Sequence, residues 1–316
     1  MAQIPTRVLI VDDEHDFVEM LSLILREGGI SVTGVPGGNE CLELLAVLAE
    51  DDVDVIILDV WMPGINGIET LKKIKKNHPL IEVIMLTGHG NAQDAIEAMQ
   101  IGAFDFLLKP TDYDELVSKL EAAARRKREQ VKRVEKARIE NLVAEKHEKT
   151  NTSLPAVNVP ENAKSDEKAP GAELVKTPAR VLIVDDEKDF VEMLAARLEN
   201  AGDDVSSAYS GKECLEILDR VEVDVVFLDL TMPGMDGIKT LRNIKERFPL
   251  VEVIVLTAHA SVDTAVRAMR LGAYDYLLKP TELKDLKSKL NGARKRKDEQ
   301  QVRMKKALNT PLKSYF

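Results

Sequence analysis

The sequence predicts an α/β protein built from two (βα)5 domains in tandem, each a doubly wound parallel sheet. Three observations carry that reading. The chain repeats itself: the RVLIVDDE stretch Arg7–Glu14 recurs as Arg180–Glu187, an offset of 173, and Leu107–Thr111 recurs as Leu277–Thr281, an offset of 170. A period that long is no solenoid repeat and means two whole domains. Each copy also holds short continuous apolar runs, which suit strands buried on both faces. Between these runs lie helical patterns, and a βαβα order gives a parallel sheet through right-handed crossovers.

In the first copy, Val8–Val11 reads as the first strand. Phe17, Met20, Leu21, Ile24 and Leu25 recur at helical spacing until Gly28-Gly29 stops the helix. Ile30–Val35 is a shorter, less apolar strand, and Asn39–Ala49 the next helix. Val53–Leu58 is the third strand, followed by a helix over Gly67–Asn77 that ends at Pro79. Val83–Leu86 leads to a helix over Asn91–Ile101 that ends at Gly102. Phe104–Leu108 closes the sheet, with Leu107-Leu108 expected in the core, and the fifth helix begins near Asp112 or Asp114. The second copy follows the same course from Val181 to Leu290. It is three residues shorter between the second helix and the third strand.

The 316 residues fit two domains at roughly 150 each. Two cysteines are too few for a disulfide scaffold, and Cys41 and Cys214 fall inside helical runs as core residues. No apolar run approaches the ~18 residues of a membrane span, and the N-terminus lacks a signal-peptide stretch. A reducing, cytoplasmic setting is expected. The formal net charge is −10 but unevenly spread. Residues 1–124 hold 8 Lys+Arg against 22 Asp+Glu, and residues 178–293 hold 15 against 21. Residues 294–316 hold 8 against 2. The expected organisation is a first domain over 1–124, a basic helical extension over 125–149 and a flexible linker over 150–177. A second domain follows over 178–293, then a basic tail over 294–316. The basic clusters Arg125–Arg128 and Arg294–Lys297 read first as solvated helix, with an oligomer or partner contact as the second choice. On acidic domains they argue poorly for nucleic acid.

Ligands of such sheets bind outside the carboxyl ends of the strands, at the topological switch point. Asp12-Asp13 follow the first strand, Asp59 the third, Thr87 ends the fourth and Lys109-Pro110 follow the fifth. All gather at one rim. Three carboxylates there repel, at roughly 4 kcal/mol per pair of unit charges 4 Å apart, and a divalent cation removes the conflict. Oxygen donors without His or Cys point to Mg²⁺. Metal, lysine and hydroxyl together suit phosphoryl transfer, and Asp59 is the candidate nucleophile.

These residues resemble the receiver domains of two-component response regulators, most closely those of the nitrogen-regulator type, over Val8 to about Leu120 and Val181 to about Leu290. The shared features are the acidic pair, the Leu-Asp-x-x-Met-Pro-Gly-x-x-Gly run, the threonine and the Lys-Pro. The resemblance implies a flavodoxin-like fold. It implies that Asp59 and Asp229 accept phosphoryl groups from a histidine kinase or histidine phosphotransfer protein. It further implies that Asp13 and Asp186 bind Mg²⁺ directly and that Asp12 and Asp185 act through water. The acceptors and the main-chain carbonyls of Trp61 and Thr231 complete the metal set. Thr87 and Thr257 would bind the phosphoryl group, Lys109 and Lys279 would pair with it beside a cis proline, and Phe106 and Tyr276 take the switch-aromatic position. Trp61 is bulky and is expected to limit water at phospho-Asp59. His89 and His259 read as loop residues near the site mouth, not ligands. The chain is thus expected to signal by self-catalysed phosphorylation, through an unknown downstream protein and with a homo-oligomer possible, without a DNA-binding domain or membrane segment. The rivals are a phosphate sink or inert scaffold and an aspartyl-phosphate phosphatase, which usually places its nucleophile after the first strand.

Overall fold

The computed structural model describes residues 6–49, 52–150, 178–233, 236–258 and 260–309, and their side chains except those of 139–150 and 306–309. The expected linker lies outside the described residues apart from Thr150, as does His259. The first unit runs β1 Arg7–Val11, α1 His15–Glu27, β2 Ser31–Val35, α2 Gly38–Val47, β3 Val55–Leu58, α3 Gly67–Asn77, β4 Glu82–Thr87, α4 Ala92–Ile101, β5 Asp105–Leu108 and α5 Tyr113–Thr150. The second runs β6 Arg180–Val184, α6 Lys188–Asn200, β7 Asp204–Ala208, α7 Gly211–Leu218, β8 Val225–Leu228, α8 Gly237–Arg247, β9 Glu252–Thr257, α9 Val262–Arg270, β10 Asp275–Leu278 and α10 Leu283–Asn309.

Both sheets are all-parallel, ordered β2-β1-β3-β4-β5 and β7-β6-β8-β9-β10, the order of a flavodoxin-like doubly wound sheet. The period-2 alternation of a strand divides each apolar run between two helix layers. Leu9, Val11, Ile56, Leu58, Val83 and Met85 face α2–α4. Val8, Ile10, Val55, Ile57, Ile84 and Leu86 face α1 and α5. Such burial stabilises by about 1.5–3 kcal/mol per large aliphatic side chain. Two of the three extra residues of the first copy lengthen α2, which has 10 residues against 8 in α7.

The structure corrects the sequence reading in two places. Leu107 is buried, but Leu108 is 42% exposed and Leu278 51%. β5 and β10 are edge strands, and their last side chains alternate outward past the helix layer. One lysine of each basic cluster is also less solvated than expected, while Arg125, Arg126, Arg128 and Lys295 are exposed. Lys127 is buried, and its Nζ donates to the Val53 carbonyl. Arg126 pairs with the buried Glu82 at 2.8 Å, and Arg128 reaches Thr6 at 3.0 Å. In the second unit Arg296 pairs with Glu252 at 2.6 Å, and Lys297 binds the Val223 carbonyl at 2.8 Å and Asp224 at 2.7 Å. The fifth helix needs these cations because buried acids begin the central strands. On the turns before the first cluster, Leu116, Leu120 and Ala124 belong to the core.

Candidate functional site

The chain order β1, β2, then β3 on the opposite side of β1 places the switch point between β1 and β3. Asp12 and Asp59 emerge there side by side, the Asp59 amide donating to the Val11 carbonyl at 2.9 Å. The Lys109 amide donates to the Thr87 carbonyl at 2.8 Å, which ties the lysine to the end of β4. Both Lys-Pro bonds, Lys109-Pro110 and Lys279-Pro280, are cis.

In the first unit the carboxylate oxygens of Asp12, Asp13 and Asp59 lie within 4.8 Å of one another, with Asp12 and Asp59 buried and Asp13 exposed. Lys109 Nζ contacts Asp12 Oδ2 at 2.7 Å and Glu14 Oε1 at 2.9 Å. Asp59 Oδ2 accepts the Trp61 amide at 3.0 Å, while its Oδ1 is buried without a hydrogen-bond partner. The second unit repeats the triad with Asp185, Asp186 and Asp229. There Lys279 leans further in, contacting Asp185, Asp229 at 3.1 Å and Glu187 at 3.5 Å. Asp229 Oδ1 accepts the Thr231 amide at 3.1 Å. Thr87 and Thr257, at the ends of β4 and β9, and Phe106 and Tyr276, on β5 and β10, are all buried.

The electrostatics favour a cation. Burial pushes the Asp59 carboxyl up; the Thr87 hydroxyl opposes this without closing a bond to Oδ1, and neighbouring Asp12 adds to it. Burial likewise raises Asp12 and Asp185 against the pull of Lys109 and Lys279. Burial works against the charge of both lysines, but their acidic partners outweigh it and hold both above the usual lysine value. An unpartnered buried oxygen among carboxyls whose ionised form burial disfavours is a place a hard cation would relieve. An all-oxygen donor set fits Mg²⁺.

The glycines of the acceptor loop are required by space. A Cβ at Gly67 would sit 1.9 Å from the Asp59 carbonyl oxygen, and one at Gly237 would sit 2.4 Å from that of Asp229. Gly64 has φ +84°, the left-handed region that glycine adopts without strain. These positions let α3 and α8 start directly against the acceptor loop.

The sequence model of the response regulator receiver domain matches residues 8–121 and 181–291. The chain belongs to the response regulator receiver family. Its two matched regions are receiver 1 and receiver 2, and proteins similar to the chain include the DNA-binding transcriptional regulator NtrC of Salmonella typhimurium. That match is 41% identical over 123 residues, 39% of this chain and 26% of the relative. The regulatory protein AtoC of Escherichia coli is 41% identical over 107 residues, 34% of this chain and 23% of the relative. The chain thus spans about a quarter of the length of these relatives. Among solved structures, a receiver domain protein from Clostridium thermocellum is 38% identical, with a TM-score of 0.37, covering 38% of this chain and 97% of that one.

Sequence reasoning missed one contact at the mouth of receiver 1. The Trp61 indole N–H donates to the His89 carbonyl at 2.6 Å, joining the loops after β3 and β4 across the acceptor. Trp61 itself is 59% exposed. Only the bulk of Trp61 was legible in the chain.

Proposed function

We propose that each receiver accepts a phosphoryl group on Asp59 or Asp229 from a phosphohistidine of a histidine kinase or phosphotransfer protein, in a Mg²⁺-dependent reaction, and signals by protein contacts in a phosphorelay. The observation that carries this is the triad of carboxylates around a buried central acid, with a lysine beside it, present in both receivers. The acceptor carboxylate attacks phosphorus, an O–P bond forms as the P–N bond breaks, and the imidazole leaves with a proton. Asp12, Asp13 and Asp59 in receiver 1, and Asp185, Asp186 and Asp229 in receiver 2, would hold Mg²⁺ with the carbonyls of Trp61 and Thr231. The metal supplies charge neutralisation at the transferring group. Lys109 and Lys279 exchange their present acidic partners for the incoming phosphoryl oxygens. Thr87 and Thr257 donate to those oxygens, and Phe106 and Tyr276 report the change to the outer face of the fourth helix and fifth strand.

The chain is a signalling protein that catalyses only its own phosphorylation and dephosphorylation. Among the described residues no helix is long and apolar enough to cross a membrane, and the cytoplasm is the setting we assign. The test is incubation with Mg²⁺ and acetyl phosphate. The expected product is acid-stable but labile to base and hydroxylamine, the signature of an acyl phosphate. Absence of that product overturns the reading, and rapid multiple turnover favours a phosphatase.

A further inference from the structure

α4 of receiver 1 packs along α9 of receiver 2, α4 also touches β10, and α9 touches β5. The contact is self-complementary. Ala92 and Ile96 of receiver 1 pack into the core cluster of receiver 2 that contains Tyr276. Their counterparts at offset 170, Val262 and Val266, pack into the cluster of receiver 1 that contains Phe106. The next residues on the same helix stripe repeat the exchange: Gln100 Nε2 donates to the Tyr274 carbonyl at 3.4 Å, and Arg270 Nη2 donates to the Phe104 carbonyl at 3.3 Å. The helices meet as the two halves of an isologous dimer meet, within a single chain.

The seam departs from symmetry at one pair. Arg270 also reaches the buried Asp105 at 2.5 Å, an acid that Lys119 holds at 2.8 Å from its own receiver. At the mirror position Gln100 carries no charge to offer Asp275, which pairs with Lys289 at 2.6 Å. Asp105 and Asp275 directly precede Phe106 and Tyr276, and each accepts the amide N–H of that aromatic, at 2.9 and 2.8 Å. Tyr276 further shares a 3.2 Å hydrogen bond with Thr264 on α9. The seam is therefore built from the switch elements themselves.

We propose that the two receivers dock on each other along α4 and α9 within one chain, and that this seam couples their phosphorylation positively. The coupling rests on the phosphoacceptor reading above. Because the same positions face each other, a shift of one switch aromatic and its helix spoils the packing until the other receiver shifts likewise. Phosphate on one receiver then favours the conformation that accepts phosphate on the other, and by linkage the reverse.

The test uses the full chain with excess acetyl phosphate and Mg²⁺, so that the sites do not compete for donor. Asp59→Ala is expected to slow labelling of Asp229 by about fivefold or more, the lower end of typical coupling. Adding Ile96→Arg, or separately Arg270→Glu, is expected to abolish that dependence. Both side chains lie at the seam, so each receiver keeps its own core. Small-angle scattering on the same proteins is expected to show a compact wild-type chain at all concentrations and an extended Ile96→Arg chain. Equal Asp229 labelling with and without Asp59, at normal total uptake, overturns the coupling. A wild-type radius of gyration equal to that of Ile96→Arg, or a mass that doubles with concentration, overturns the intrachain seam. No uptake at either aspartate overturns the phosphoacceptor reading and the coupling with it, and scattering then still reports the seam alone.

Discussion

Trp61 and Thr231 hold the same place two residues after their acceptors and present opposite surfaces. The indole is pinned across the mouth of receiver 1 by the His89 carbonyl, and a threonine cannot span that gap. An indole held there is expected to hinder the approach of the water that hydrolyses an acyl phosphate. Phospho-Asp59 is therefore expected to outlive phospho-Asp229 several-fold, and Trp61→Thr to erase most of the difference, measured by loss of label after donor removal. The pH dependence follows from Asp59, whose folded pKa is raised by burial. A raised carboxyl contributes stability that is full below its unfolded pKa and is lost as pH rises through the folded value. Asp59→Asn removes this loss. Its thermal midpoint in EDTA is expected to match wild type below the ordinary carboxylate pKa, and to exceed it by a gap that opens as pH rises from there through the raised folded value and is constant beyond, with Mg²⁺ narrowing the gap. The acids, threonines and lysines of the site were legible in the sequence because chain topology alone brings strand ends to one rim. The Trp61–His89 contact was not, since it depends on how two loops lean.

The elements were legible where the local pattern was strong. Continuous apolar runs marked β1, β3 and β4, and Gly and Pro marked helix ends, with α3 spanning Gly67–Asn77 as expected. Leu108 was misread because an apolar residue at the end of an edge strand looks the same in sequence as one in the core. Lys127 was misread because four adjacent basic residues suggest water, while one helix face carries that lysine under the sheet. Two predictions belong here. Gly67→Ala forces α3 away from the Asp59 carbonyl and is expected to cost about 1–3 kcal/mol in denaturant unfolding. Lys127→Ala strands the Val53 carbonyl and is expected to cost about 1–3 kcal/mol, with Lys127→Met recovering the part due to its apolar stem.

The described residues form two copies of one fold, with an acidic triad at each carboxyl rim and, at the opposite edge, basic helix turns paired with buried acids that begin the central strands. The repeat and its offset made the duplication plain in the sequence. The seam was hidden, because Ala92 and Ile96 fit the pattern of residues packing on their own sheet. Only the arrangement in space gives them to the other receiver. The central claim is that both triads are competent phosphoacceptors, and intact-mass spectrometry of the chain after acetyl phosphate treatment tests it most directly. The account predicts species with one and with two phosphoryl groups in Mg²⁺ and none in EDTA. It predicts at most one group in Asp59→Ala, at most one in Asp229→Ala and none in the double variant. An unmodified wild-type chain, or phosphate that persists in the double variant, would contradict it.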